Sequence, residues 1–350
     1  MRKRGGNMTK LRRIPGNRRA DFLILLALGL FPLCGSAFYT QLLTKYMVFV
    51  ILAWSLDILW GYAGLMNLGH AVLFGIGGYT MALCLSSQQG IPDFMARGGV
   101  TEMPLWLQII QNPAVAVLAG IFIPAILAWL LGVFLFRSRV GGVFFAVITL
   151  ALAQIFNLFI QSQQKWTGGF NGIGGLSGLS VFGTPLDITQ SYYFIFLIVI
   201  IVYVFCLALT HSRFGMILCG IRENETRLEF LGCDKDSFKA AAFALSGALA
   251  GLAGVLYAPV SGMIAPNDVG VEFSTAIVVW LAIGGRGNLT GAAVGALLIN
   301  VLGNALSEQF GAFWQLLLGI VMILTVLFMP RGIVGTLMSA SEGKKVHAHG

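Results

Sequence analysis

Apolar runs recur along the chain near residues 22–40, 45–60, 66–86, 114–136, 142–161, 192–210, 238–258, 273–285, 290–306 and 313–329, separated by short polar or glycine-rich breaks. Most approach the roughly 20 apolar residues that a helix needs to cross the hydrocarbon core. The pattern predicts an all-α polytopic integral membrane protein with about ten spans. The eighth run, 273–285, is short and reads equally well as a re-entrant half-helix, so eight to ten membrane elements are expected. One long polar block interrupts the series. Residues 211–236 carry Arg213, Arg222, Glu223, Glu225, Arg227, Glu229, Asp234 and Lys235 between two hydrophobic halves.

Composition strengthens the membrane reading: 10% of residues are charged and 57% hydrophobic, against about a quarter charged in soluble domains. The net charge of +8 is unevenly placed, with eight of the 22 Lys and Arg inside the first 20 residues. A basic arm ahead of an apolar run holds that end in the cytoplasm, which removes nucleic acid as the explanation. The same arrangement also opens secretory signal peptides, with Gly35-Ser36-Ala37 as a weak cleavage-like site. The run leads so readily into further spans that a retained first helix is preferred. With the N-terminus inside and spans alternating, 19 basic residues fall on the inside and only Lys45, Arg97 and Lys165 outside. That bias predicts both termini in the cytoplasm. The organisation expected is a basic arm at 1–21, a transmembrane domain at 22–337 and a tail at 338–350.

Two outer loops, 87–113 and 162–191, exceed simple turns. The second is glycine-rich, yet Trp166, Phe170, Ile173, Leu176, Leu179 and Val181 interleave it with apolar groups that need packing. An ordered cap is expected there, with Trp166 and Phe170 as candidates for docking a partner. The segments GYAGLMNLGHAVLFGIGGY (61–79) and AIGGRGNLTGAAVGALL (282–298) each join a glycine-rich break to an Asn-Leu pair, as a decayed repeat would. Broken helices in transporters line the substrate path; small residues also serve plain helix packing, which fits Gly247 and Gly251 best.

Among single residues, Asp57 is expected to reach the inner interface and Glu272 the outer mouth. His70, the one histidine well inside the hydrophobic region, is a packing residue or a path residue. No acidic chain crosses the membrane, which argues against proton- or sodium-driven transport. No catalytic motif or P-loop is present, so no catalytic residue is assigned and any driving energy must come from another polypeptide. The five cysteines show no C-x-x-C pair and read as apolar filling, with no metal site or cofactor. In 211–236 the helical spacing of Glu225, Leu228, Glu229 and Gly232, with Phe230 and Leu231 alongside, suits a plug for a partner's groove.

These motifs, in this order, carry a resemblance over about residues 45–337. GYAGLMNLGHAVLFGIGGY resembles the GxxGxxSLGH segment of branched-chain amino acid ABC transporter permeases of the M type. RFGMILCGIRENETRLEFLG resembles their cytoplasmic coupling loop, and FALSGALAGLAGVLYAP, AIGGRGNLTGAAVGALL and MPRGIVG also match. Within the family, Phe230-Leu231-Gly232, GGRGNL at 284–289 and SEQF with FW at 307–314 are similar to the urea permease subunit. Asn67 departs from the usual Ser, Ala71 and Val72 from small-aromatic residues, and Glu225-Thr226-Arg227 from an acidic-Ala-Ala core. The resemblance implies a subunit of an ATP-driven importer in the bacterial inner membrane, for urea or a short amide, or alternatively for branched-chain or other amino acids. It implies an H-type partner permease, two cytosolic ATPases that hold the ATP, and an extracytoplasmic binding protein. Coupling is expected through Arg213, Arg222, Glu225, Glu229 and Gly232, and the path is expected to use Asn67, His70 and Asn300. A passive channel for a small neutral solute explains the glycines but not the charged segment.

Overall fold

The computed structural model describes residues 35–311 apart from Gln89, Phe182 and Gly183, together with residues 25, 27–33, 313, 316–317, 319–320, 323, 332 and 336. The basic arm, part of the first and most of the tenth predicted span, and the tail lie outside these residues.

The chain enters through α1 (Ala37–Asp57), which runs directly into a π-helical turn at Ile58–Tyr62. Then follow α2 (His70–Ser86), the short α3 (Asp93–Arg97) and α4 (Leu105–Ile110), α5 (Pro113–Arg137) and α6 (Gly142–Ser162). The turn α7 (Gln164–Thr167) leads to three two-residue strands, β1 (Ile173–Gly174), β2 (Ser180–Val181) and β3 (Thr184–Pro185), and then to α8 (Ile188–His211). The polar block forms α9 (Arg213–Glu223) and α10 (Glu225–Phe230). After α11 (Lys235–Ser261) come β4 (Met263–Ile264), α12 (Val271–Gly284) and α13 (Leu289–Phe310).

Each of the eight predicted runs from 45–60 to 290–306 coincides with a helix, but among the described residues only six are long and apolar enough to cross a membrane. The exceptions are α2 and α12. With 14 residues, α12 is about 21 Å long at 1.5 Å per residue, short of a roughly 30 Å core. Just before it a 3-10 turn at Pro266–Asp268 and its flanks tuck into the protein, with Ile264, Pro266, Val269 and Gly270 buried.

Two helices form the heart of the domain. The most hydropathic windows of α5 and α8 are only 22% buried, whereas those of α1 and α11 are 83% and 72% buried. Glycine permits the close approach: a methyl on Gly247 of α11 would stand 2.8 Å from Pro124 O and 2.9 Å from Ala128 Cβ of α5. Packing through small residues, expected for Gly247, is what α11 uses. An aromatic cluster of Phe49, Phe74, Tyr257, Phe273 and Trp280 fills the space between α1, α2, α11 and α12.

The turns sort into two groups, as alternation requires. At one end β1 pairs antiparallel with β4, Ile173 opposite Ile264. At that end too, Gln111 Nε2 donates to Ser87 O at 2.7 Å and Trp106 meets Trp166 edge-on at 5.6 Å. At the other end the turns at 61–64 and 285–287 meet Arg222 and Gly332.

Candidate functional site

Two interruptions of helical backbone define the interior. The first spans residues 63–69, between the π-turn and α2. Backbone groups freed there and buried in the protein need partners. Thr149 Oγ1 accepts from Leu68 N–H at 3.1 Å, Asn67 Oδ1 from Gly69 N–H at 2.9 Å, and Ser274 Oγ from Ala71 N–H at 3.0 Å. His70 is fully buried and joins this set, with Nε2 2.6 Å from Ser55 Oγ and Nδ1 3.3 Å from Asn67 Nδ2. Ser55 in turn gives its hydroxyl to Leu52 O at 2.6 Å. That assigns the imidazole proton to Nε2 and makes Nδ1 the acceptor of the Asn67 amide. Each partner is a small polar side chain buried in an apolar run: Ser55, Thr149 and Ser274 carry the break and were not singled out in the sequence. Asn300, by contrast, is half-buried on α13 and returns its amide to Ala296 O at 2.7 Å. The structure thus brings Asn67 and His70 together and leaves Asn300 apart.

The second interruption lies at 285–288, and α1 serves it as well. Trp54 Nε1 donates to Leu289 O at 2.8 Å, and Asp57 Oδ1 accepts from Gly287 N–H at 2.6 Å. Asp57 was expected to reach the interface; instead it is fully buried, drawn inward by that N–H. Its Oδ2 has no hydrogen-bond partner among the described residues. An unsatisfied buried polar atom costs about 1–3 kcal/mol, and more when charged. Arg286 lies over the Trp60 ring at 5.7 Å, tying this turn to the π-turn. Three residues in the last turn of α1, Trp54, Ser55 and Asp57, therefore hold both glycine-rich segments in place.

The charged segment is anchored to the same place. Ser212 caps α9 and Asn224 caps α10, each side-chain oxygen accepting a backbone N–H three residues on. Arg222, in the last turn of α9, donates through Nη1 to Gly61 O. Arg213 is exposed at the start of α9. Glu225 pairs with Lys239 of α11, N to O 2.6 Å, and Glu229 with Lys235 at 2.8 Å. The bonded Lys235 ammonium holds the exposed Glu229 carboxyl below its usual range, and Glu229 raises the lysine in return. Gly232 takes φ +79°, the left-handed conformation that ends a helix turn. The apolar face divides: Leu228 turns in towards Gly220, whereas Phe230 and Leu231 are 88% and 73% exposed.

At the opposite end the glycine-rich loop is an ordered cap. Ile173, Leu176 and Leu179 are buried, Trp166 is half-buried against Trp106 beneath the Lys165 ammonium, and Phe170 is 78% exposed.

A broken-helix membrane domain with a charged two-helix segment tied to its breaks defines a multi-pass transport permease. The family described as "Branched-chain amino acid transport system / permease component" matches residues 38–326, and the chain belongs to it. The branched-chain amino acid permease protein LivM of Salmonella typhimurium is 27% identical over 89% of this chain and 73% of its own length. The probable LivM of Methanocaldococcus jannaschii is 26% identical, covering 84% of this chain and 92% of the relative. The permease protein LivH of Salmonella typhimurium is 25% identical, covering 82% and 91%. No solved structure matches the chain.

Proposed function

We propose that the chain is a membrane-spanning subunit of an ATP-driven importer for amino acids of the branched-chain type, in the bacterial inner membrane. The match over residues 38–326 to a family described by that transport system carries this reading. Relatives named LivM and LivH support two different permease subunits in one transporter, so an H-type permease is the partner within the membrane. Two cytosolic ATPases and an extracytoplasmic binding protein complete the assembly. The binding protein docks on the cap, where Phe170 offers an exposed ring, and releases solute between the two membrane subunits. Closure of the ATPases on nucleotide presses on residues 213–235 and changes access, a rigid-body switch. Arg213, Glu229 and the exposed Phe230 and Leu231 meet the ATPase; Arg222, Glu225 and Gly232 hold the segment's aim. In this reading Asn67 and His70 act on the path from behind, by fixing the 63–69 backbone, and half-buried Asn300 offers its remaining polar groups to solute.

Urea or a short amide is the second reading. It is favoured by Phe230-Leu231-Gly232, the 284–289 turn and the 307–314 segment, which are similar to urea permeases; the relatives' names favour amino acids. Uptake by the assembled transporter with ATP, using labelled leucine and labelled urea, each with its binding protein, separates them. Leucine accumulation supports the proposal, and accumulation of urea alone replaces it with the second reading.

A further inference from the structure

Arg222 is threaded between three glycines. A methyl on Gly64 would stand 2.9 Å from its Cγ, and one on Gly287 would stand 3.1 Å from its Nη1 and 3.2 Å from Gly61 O. The guanidinium of the coupling segment therefore reaches the point where the two broken helices touch, with room only because side chains are missing there. Its hydrogen bond goes to a neutral acceptor, Gly61 O. Beside that acceptor sits a carboxylate: the Gly61 Cα packs against Asp57 Oδ1, Gly287 N–H occupies that oxygen, and Oδ2 is buried without a partner among the described residues. A guanidinium prefers a carboxylate to a carbonyl, and an orphaned buried oxygen is a standing attraction for it.

The geometry points to Asp57 as the second seat of Arg222. When the coupling segment is pushed, Arg222 leaves Gly61 O and pairs with Asp57 Oδ2; when it relaxes, the guanidinium returns. Asp57 is then a positioning residue. Through Gly287 on its other oxygen it passes the coupling segment's position to the 285–288 turn and α13. The simpler role, an acceptor that only fixes Gly287, needs no charge, and the two roles separate on that point.

The inference rests on the ATP-driven reading, so its test uses the complete transporter in proteoliposomes and reads solute accumulated per ATP hydrolysed, with labelled leucine or urea, whichever the wild type accumulates. Asp57→Asn keeps the volume and an acceptor for Gly287 but removes the charge. It is expected to assemble and hydrolyse ATP at the wild-type level while solute per ATP falls about tenfold. Arg222→Gln is expected to fall similarly, Arg222→Lys to keep most coupling, and the Asp57→Asn, Arg222→Gln double variant to be no worse than either single, since both act on one interaction. An unchanged ratio in Asp57→Asn, or losses that multiply in the double variant, overturns the second seat and leaves the importer reading standing. Wild-type transport indifferent to ATP defeats the importer reading, and the inference with it.

Discussion

Lys239 Nζ lies 2.6 Å from Glu225 Oε1, joining the first turn of α10 to the base of α11. The lysine side chain is only 4% exposed and the glutamate 43%, and the ammonium also sits 5.7 Å from the Phe136 ring centroid. The pair fixes the charged segment 211–236 to the membrane domain from one side while Arg222 fixes it from the other.

Removing only the acid strands a buried cation. The loss is expected between the roughly 0–1 kcal/mol of exposed pairs and the roughly 3–5 kcal/mol of buried ones. Glu225→Gln should therefore lower the thermal stability of the purified complex more than the Glu225→Gln, Lys239→Met double variant, whose methionine packs on Phe136 without a charge. Equal losses would show that the pair does not act as a unit.

Gly232 has nothing within 4 Å of the place a Cβ would take. A substitution there is opposed by backbone conformation and not by packing. Valine at φ +79° is strained by about 1–2 kcal/mol, whereas asparagine tolerates this region. Gly232→Val is expected to insert normally but lose co-purification of the ATPase, and Gly232→Asn to keep it.

Thr149 supplies the acceptor for Leu68 N–H. Thr149→Val keeps the shape and orphans that donor, at a cost of about 1–3 kcal/mol, whereas Thr149→Ser keeps the oxygen. Melting of the detergent-purified protein should separate the two variants by several degrees, with serine close to wild type.

In the cap, Phe170 is exposed and Trp166 is packed on Trp106. Phe170→Ala should weaken stimulation of ATP hydrolysis by loaded binding protein, by about 2 kcal/mol if the ring is a hot spot, without changing stability. Trp166→Ala should also loosen the cap, detectable as faster proteolysis within 162–176.

Much of this was legible in the pattern of residues. The eight helical runs from 45–60 to 290–306, the packed apolar groups of the cap and the short eighth segment follow from local signals of length and apolar interleaving, whereas only six of those helices are of membrane-spanning length among the described residues. What escaped is long-range. Asp57 meets Gly287 and Trp54 meets Leu289 across more than two hundred residues, and neither partner's local sequence names the other. Which spans face lipid was also hidden, because hydrocarbon is as apolar as a packed core. The clue lay in small polar residues such as Ser55, Thr149 and Ser274, which mark the helices that serve broken backbone.

Under the proposed function, solute moves only when force from ATP hydrolysis reaches residues 213–235. The most direct measurement compares accumulation of labelled leucine, with urea in parallel, in proteoliposomes holding the complete complex and in proteoliposomes holding the two membrane subunits alone. Accumulation above the external concentration is expected only with ATPases and ATP, and is expected to be abolished by Glu229→Arg. Equilibration through the membrane subunits alone, indifferent to ATP and to Glu229→Arg, would contradict it.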